Sequence, residues 1–418
     1  MQHPKILFRK GKDHIASHMH PWIFSQALVT PRDISNGTIA DVYTSDGKKF
    51  LGRGYYNSNS QIAFRFLTRD IDEEIDVTFF ERRFRELLAI RERFIDQKNT
   101  NAFRVVFGES DFMPGLIVDK YNRVFVMQIH TLGMEAQREN VIAAIKSVFK
   151  PETIFERSDV GVRRHEGLTD LPVRHIFGKE LPNEIEILEN GVKFLVNVTK
   201  GQKTGMFLDQ RENRKALQKY VTGKRVLNCF CYTAGFSVYA ALAGAKETVN
   251  VDVSGEALET AKRIFELNGL SSKKHKFEDA DVFNFIEKCA SAGEKKDTSF
   301  VRTNGLATPV CGGGLFDVII LDPPAFVKNQ KSLKQGLSGY LFINEKALRL
   351  LPQGGILVSS SCSAHVTDEI FQKTLAMAAA RAKCTLRTLE IRHQPIDHPF
   401  NIHFPEGKYL KFYVMLKS

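Results

Sequence analysis

The sequence predicts an α/β protein: a doubly wound, largely parallel sheet in the C-terminal half, preceded by a small N-terminal β-barrel and an α+β middle segment. Three observations carry this. From about residue 186 short apolar strands alternate with helical stretches, the pattern of a parallel sheet with helices on both faces. The first 74 residues read instead as short strands punctuated by turn dipeptides. At 418 residues the chain exceeds what one hydrophobic core supports, so several domains are expected, over 1–74, 75–185 and 186–418.

In the first segment the strands are Ile6-Leu7-Phe8, residues 38–43 and residues 61–67, with Asn36-Gly37 and Asp46-Gly47 as turns between them. Trp22, the single tryptophan, lies among His18, His20 and Phe24. It can stack on nucleic-acid bases or plug the core. The middle segment opens with an amphipathic helix over 79–98. Strands at 104–107 and 124–129 follow, joined by a turn at Met113-Pro114-Gly115, then a helix over 137–149 and a strand at 153–155. A Pro- and Gly-bearing exit at 178–183 ends it.

Composition narrows the class. Hydrophobic content of 43% and charged content of 26% belong to an ordinary globular protein, and a formal charge of +11 favours a polyanionic partner without requiring one. Six cysteines are too sparse for a disulfide framework, and neither a leader-like start nor a membrane-length apolar run is visible. A reducing, cytoplasmic setting with no membrane partner is the expectation.

In the C-terminal half, the buried-strand pattern 225–228 ends at Asn228 and runs into Cys229-Phe230-Cys231-Tyr232-Thr233-Ala234-Gly235, then a small-residue helix over 237–243. Ligands of open α/β sheets sit beside this turn, at the carboxyl ends of the strands. The next strand, 247–251, ends in Asp252, placed to accept hydrogen bonds from ribose hydroxyls, and Asp281 follows a third strand where an adenine amino group would lie. Either acid can instead cap the following helix. The glycine fingerprint of a pyrophosphate site is missing, with only Gly235 left, so a nucleoside without phosphate, S-adenosylmethionine, fits better than a nicotinamide dinucleotide.

The apolar strand 315–321 ends in Asp322-Pro323-Pro324-Ala325-Phe326. Paired prolines lock the chain there, fixing a carboxylate and carbonyls that accept the hydrogens of a flat amino heterocycle, with Phe326 over its face. The following strand, 355–360, leads into Ser361-Cys362-Ser363-Ala364-His365. A thiolate at Cys362 can add to carbon 6 of a pyrimidine and make carbon 5 nucleophilic; the alternative is a small buried hydrophobe. His365 either assists proton removal or caps a helix. Cys229 and Cys231 read as packing residues, because metal ligation would need further partners at matched spacing; Cys289, Cys311 and Cys384 carry no pattern, and no metal is expected. The polar, Gly-rich stretch 291–314 reads as a surface insertion.

These residues resemble the PUA-domain cytosine-5 methyltransferases of 23S ribosomal RNA. The resemblance covers nearly the whole chain and is most specific at Lys203–Arg211, Val226–Thr233, Asp322–Phe326, Ser361-Cys362-Ser363 and Phe404–Lys411. It implies a PUA barrel at the N-terminus, including His20–Phe24 and Gly52–Asn57, and a Rossmann-like methyltransferase sheet at the C-terminus. It further implies S-adenosylmethionine as donor and a large-subunit ribosomal RNA cytosine as target. Cys362 takes the nucleophile position and Asp322 that of the base-orienting acid. The cofactor loop covers Asn228, Phe230, Tyr232, Thr233 and Gly235, with Asp252 on the ribose, and Asp281 and Asp322 are the remaining candidate cofactor contacts. Trp22, Arg53, Phe326 and Lys328 are the candidate RNA contacts, and a homodimer is compatible with this reading. Ala234 in place of glycine, Lys408 in place of glutamate and the 291–314 insertion depart from the family pattern. Three other readings remain at this stage: a guanine amino-group methyltransferase, a nicotinamide oxidoreductase and a non-catalytic RNA-binding assembly factor.

Overall fold

A computed structural model describes residues 3–29, 33–169, 171–294, 300–303, 306–309 and 316–418. The chain forms two compact units: Met1–Gly191 with Leu195–Asp209 and Ile396–Gly407, and Val192–Phe194 with Gln210–Pro395 and Lys408–Ser418. The first unit thus takes in the first two expected segments and two later stretches as well.

The first unit opens with strands β1 (Lys5–Leu7), β2 (Trp22–Phe24), β3 (Ile39–Tyr43), β4 (Phe50–Tyr56) and β5 (Ile62–Thr68), in sheet order β1-β3-β4-β5-β2. Phe8, Ile23, Val42 and Phe64 fill its core. The sequence reading placed no strand at β4, whose Gly52 and Gly54 lower strand propensity. Gly54 is there because a Cβ would meet the Arg65 carbonyl oxygen of β5 at 1.9 Å. Helix α1 (Val77–Phe94) follows, its first turn capped by the Asp76 carboxylate on the amides of Thr78 and Phe79. It stops short of the expected residue 98 because the Asp96 side chain accepts from the Lys98 amide and turns the chain.

The second sheet comprises β6 (Ala102–Phe107), β7 (Leu116–Tyr121), β8 (Val124–Ile129), β9 (Thr153–Glu156) and β10 (Arg174–Gly178), in order β10-β9-β8-β7-β6. Helices α2 (Leu132–Ala136) and α3 (Arg138–Phe149) lie between β8 and β9 in the chain. Phe149 stacks on both Phe84 of α1 and Phe125 of β8, fastening the helices to the sheet. Strands β11 (Ile185–Glu189) and β12 (Val192–Val196) come next.

The second unit holds the predicted α/β sheet. Its elements are α4 (Arg211–Leu217), β13 (Arg225–Cys229), α5 (Gly235–Leu242), β14 (Glu247–Asp252), α6 (Gly255–Leu267), β15 (His275–Asp279), α7 (Val282–Glu294), β16 (Phe300–Thr303), β17 (Leu306–Pro309), β18 (Val318–Leu321), α8 (Leu333–Leu350), β19 (Ile356–Ser361), α9 (Asp368–Arg381), β20 (Leu386–Arg392) and β21 (Lys411–Lys417). The sheet order is β15-β14-β13-β18-β19-β21-β20. The first five strands are parallel and β21 is antiparallel to both neighbours. Alternate residues feed two layers: Leu227, Ile319 and Leu357 pack towards α7, α8 and α9, whereas Val226, Val318 and Val358 pack towards α4 and α5. Within the expected insertion, β16 and β17 form an antiparallel pair. Cys311, Gly312-Gly313-Gly314 and Leu315 lie outside the described residues.

Candidate active site at the carboxyl edge of the parallel sheet

Strand order reverses between β13 and β18, where crossovers leave in opposite directions and open a crevice at the strands' carboxyl ends. The loops after β13, β14, β18 and β19 therefore converge on one edge. Inserting β21 antiparallel between the fifth and last strands also departs from the 3-2-1-4-5-6 order of dinucleotide-binding sheets.

The loop after β13 is built from an uncommon backbone. Phe230, Tyr232 and Ala234 have φ of 58°, 50° and 57°, so three non-glycine residues in five adopt the left-handed conformation. Each such residue costs about 1–2 kcal/mol, so the surroundings must hold the loop. Asp252, at the end of β14, supplies part of that hold: one oxygen accepts from the Tyr232 amide at 2.8 Å and the other from the Ser254 amide at 3.0 Å. A carboxylate oxygen has two lone-pair directions, so both oxygens can still accept ribose hydroxyls. Asp281 is exposed and accepts from the Asn284 amide at 2.9 Å, which makes it the cap of α7. Half-buried Asp252, exposed Asp281 and half-buried Asp322 bring negative charge to the strands' carboxyl ends. This suits a cationic sulfonium nucleoside and opposes a pyrophosphate.

Other predicted cofactor residues sit differently. Asn228 is 1% exposed and gives its amide to Ser237 Oγ at 2.9 Å, so it anchors α5 from inside the layers. A Cβ on Gly235 would meet the Arg214 side chain at 3.0 Å, so glycine here permits close approach of α4. Thr233 is half-buried on the loop, and the Phe230 ring lies edge-on to Phe283 and Phe326.

Asp322 leaves β18 half-buried, and its Oδ1 accepts from Gln210 Nε2 at 2.9 Å and from Ser360 Oγ. Gln210 is itself oriented by Asn213, whose amide donates to its Oε1 at 2.7 Å. Ser360 belongs to β19, whose next loop carries Cys362. The acid and the thiol thus leave adjacent parallel strands, and a hydrogen bond ties Asp322 to the strand bearing Cys362. Cys362 is half-buried, unlike Cys229 and Cys231, which are buried in the core where desolvation drives both thiols far up. Burial likewise pushes Cys289 up, to about 11. His365 is exposed, and Thr367, not His365, caps α9 through the Ile370 amide.

The four candidate RNA contacts sit in different settings. Trp22 donates its indole N–H to Glu109 at 3.0 Å and sets its ring 4.8 Å from Phe404 and 5.7 Å from His20, which makes it a half-buried plug. Arg53 is 4% exposed and forms a two-point pair with Asp41, at 2.7 and 3.2 Å, so its guanidinium is spent inside the first unit. Phe326 packs 4.8 Å from Tyr340 on the side where Gly336 and Gly339 let α8 come close, leaving it part-covered. Lys328 is exposed at the rim after Asp322-Pro323-Pro324.

Sequence reasoning gave no role to Gln210, Ser360 or Lys411. Gln210 lies in the Lys203–Arg211 segment, and Ser360 in a run of serines at the end of a buried strand, an unusual polarity for that position. Lys411 stands opposite Ser361 in the β19–β21 register and is 2% exposed.

Comparison with known proteins agrees with this geometry. Residues 133–304 match a family model described as S-adenosylmethionine-dependent methyltransferase, and residues 6–69 one described as a PUA-like domain. The ribosomal RNA large subunit methyltransferase I of Aeromonas hydrophila is 41% identical over 409 residues, covering 97% of each chain. The proteins of that name from Klebsiella pneumoniae and Escherichia coli are 39% and 38% identical, over 98% and 97% of this chain and 97% and 98% of theirs. Among solved structures, a methyltransferase complexed with SAH superposes with a TM-score of 0.81 at 24% identity, over 99% of this chain and 100% of that one. A structure assigned to a SAM-dependent methyltransferase of Streptococcus mutans gives 0.79, also at 24% identity and with the same coverage. The fold is thus that of S-adenosylmethionine-dependent methyltransferases with an N-terminal PUA-like domain, and the chain belongs to the ribosomal RNA large subunit methyltransferase I family.

Proposed function

We propose that this protein methylates carbon 5 of a cytosine in large-subunit ribosomal RNA, with Cys362 as nucleophile and Asp322 as the acid that orients the base. The observation that carries the reading is the pairing of a half-buried thiol and a half-buried carboxylate on adjacent parallel strands, linked through Ser360. S-adenosylmethionine, when bound, supplies an activated methyl group; Asp252, Asp281 and the loop 230–235 are the residues that would hold it.

The chain's own groups account for the remaining chemistry. Carbon 5 of cytosine is too weak a nucleophile to react by proximity alone. Addition of the Cys362 thiolate to carbon 6 forms a C–S bond and moves the ring double-bond electrons to carbon 5. After carbon 5 accepts the methyl group, its proton leaves to a base and the C–S bond breaks, which restores the double bond and regenerates the thiolate. Asp322, held from two sides by Gln210 and Ser360, accepts hydrogen bonds from the cytosine amino edge and keeps the ring in register. Residues 1–74 contribute an RNA-binding PUA-like domain and 186–418 the catalytic domain, with the reaction in the cytoplasm, where the thiol stays reduced.

The test is Cys362→Ala, assayed for methyl transfer to 23S ribosomal RNA, beside wild-type trapping on RNA carrying 5-fluorocytosine. Loss of activity with a covalent wild-type complex is expected. A second reading, methylation of an exocyclic guanine nitrogen, is favoured by Asp322 standing before two prolines and Phe326. It needs no thiol, so retained activity in Cys362→Ala would establish it in place of the first.

A further inference from the structure

A buried lysine lies against the Cys362 loop, and the chemistry above gives it no task. Lys411 opens β21 directly opposite Ser361, the last residue of β19. Its Nζ donates to the Ser363 carbonyl at 2.7 Å and to the Tyr409 carbonyl at 2.7 Å. The ammonium therefore clasps the peptide on the far side of Cys362 while its own Cα faces the residue on the near side. Cys362 is the residue enclosed between them.

We propose that Lys411 is a positioning residue that holds the Cys362 side chain as a thiolate ready for attack. The proposal rests on the reading of Cys362 as nucleophile.

An ammonium buried this deeply loses most of its hydration, and two carbonyl dipoles replace only part of it. Burial accordingly pushes Lys411 down to about 8, and the negative charge of a thiolate at Cys362 is the strongest influence raising it again. Coulomb attraction is mutual, so the ammonium favours the thiolate as much as the thiolate favours the ammonium. Other ionisable groups around it do not take over this role. Asp368, at the start of α9, pairs with Lys408 at 2.8 Å and accepts from Tyr413 Oη at 3.4 Å. Tyr340, on α8, is driven up by burial, stays neutral, and meets Ser363 Oγ at 3.1 Å. His393, after β20, is engaged with the Leu410 carbonyl at 2.8 Å. Lys411 has three N–H donors and the two carbonyls use two of them. Among the described residues no carboxylate pairs with it directly.

A purely structural role, clipping the loop through Ser363, makes the same hydrogen bonds but leaves thiol ionisation alone. The two are separated by the pH dependence of Cys362 alkylation in the full chain, followed by iodoacetamide labelling and mass spectrometry of the Cys362 peptide. Wild type should show an inflection well below the ordinary thiol value of about 8.5. Lys411→Met should move it up by about one unit or more and slow alkylation at pH 7 about tenfold, while Lys411→Arg should fall between the two. A wild-type inflection at or above the ordinary value overturns the proposal. So does a Lys411→Met profile that superposes on wild type in protein that still binds S-adenosylmethionine. If Lys411→Met does not fold, the wild-type and Lys411→Arg profiles decide. Methyl transfer by Cys362→Ala is read in parallel. Retained activity there defeats the nucleophile reading itself, whereas an inactive Cys362→Ala with an unshifted Lys411→Met profile defeats only the lysine.

Discussion

The first unit and the carboxyl edge of the second unit's sheet are both rich in charge, and they use it in opposite ways. In the first unit, charges close on one another. Arg53 pairs with Asp41, Arg65 with Glu166, Arg91 with Asp111, Arg104 with Asp119 and Arg138 with Glu156, each pair largely shielded from water. At the sheet edge the carboxylates are held by neutral donors. Asp252 is gripped by backbone amides, Asp322 by Gln210 and Ser360, and the loop carrying Cys362 is clasped at the Ser363 carbonyl by Lys411. Internal pairing builds rigidity and withdraws an arginine from the surface, whereas hydrogen bonds from neutral donors orient a carboxylate without cancelling its charge. A residue's charge in the sequence therefore says little about whether it meets RNA.

The widest gap between the regions should appear when one acid is altered in each. Asp322→Asn should lower kcat/KM for methyl transfer by roughly 10²–10⁴-fold with little change in melting temperature, because the amide oxygen still accepts from Gln210 and Ser360 but the oriented negative charge is gone. Arg53→Met should do the reverse. It leaves Asp41 buried without its partner and should cost about 3–5 kcal/mol in urea unfolding. The salt dependence of RNA binding, which falls by about one unit of slope for each lost phosphate contact, should be unchanged. A reduced slope for Arg53→Met would mean the guanidinium leaves Asp41 for RNA, and the comparison would break.

The same contrast explains what was legible in the sequence. The doubly wound sheet was legible because its parallel strands are continuous apolar runs, and the loops after β13, β14, β18 and β19 stand out as polar breaks after them. The Asp322 and Cys362 loops were legible for that reason, since Asp322-Pro323-Pro324 and Ser361-Cys362-Ser363 have few structural excuses. Strand β4 was hidden by Gly52 and Gly54, whose purpose is visible only when β5 is beside them. Trp22 and Arg53 were legible as residue types but not as partners: Glu109 lies 87 positions from Trp22 in sequence, and no local pattern announces it. Gln210 is likewise 112 positions from Asp322. Long-range pairing decides whether a polar side chain supports the fold or the site, and a single sequence does not display it.

A pH experiment sharpens the comparison within the first unit. His130, at the end of the second sheet's β8, is pushed down to about 4, mainly by burial and further by the Arg104 and Arg163 guanidinium groups. The folded state keeps this imidazole neutral where the unfolded chain takes up a proton near 6.5. Between those values the unfolded state binds more protons, so stability must fall as pH drops through 6.5 and level off near 4. Urea unfolding at pH 5 against pH 7 should lose about 1–2 kcal/mol through this group. The His130→Gln variant should be flatter over that range. An equal slope in the variant would assign the acid sensitivity to other groups.

The smallest effect is expected at Ala234, where the loop after β13 enters α5 in the left-handed conformation at φ 57° and ψ 33°. A methyl side chain there costs about 1 kcal/mol relative to glycine, partly offset because glycine also loosens the unfolded chain. Ala234→Gly should therefore raise stability by about 0.5 kcal/mol or less, readable as a shift of the urea midpoint at unchanged slope. Its kinetic effect is the more telling result. If the loop is held by Asp252 on the Tyr232 amide and by packing of Phe230 on Phe283, relaxing one backbone position should leave KM for S-adenosylmethionine within about twofold. A larger rise in KM would mean that the stiffness of Ala234 itself keeps the loop shaped for the nucleoside, and that the strain is part of the site rather than tolerated by it.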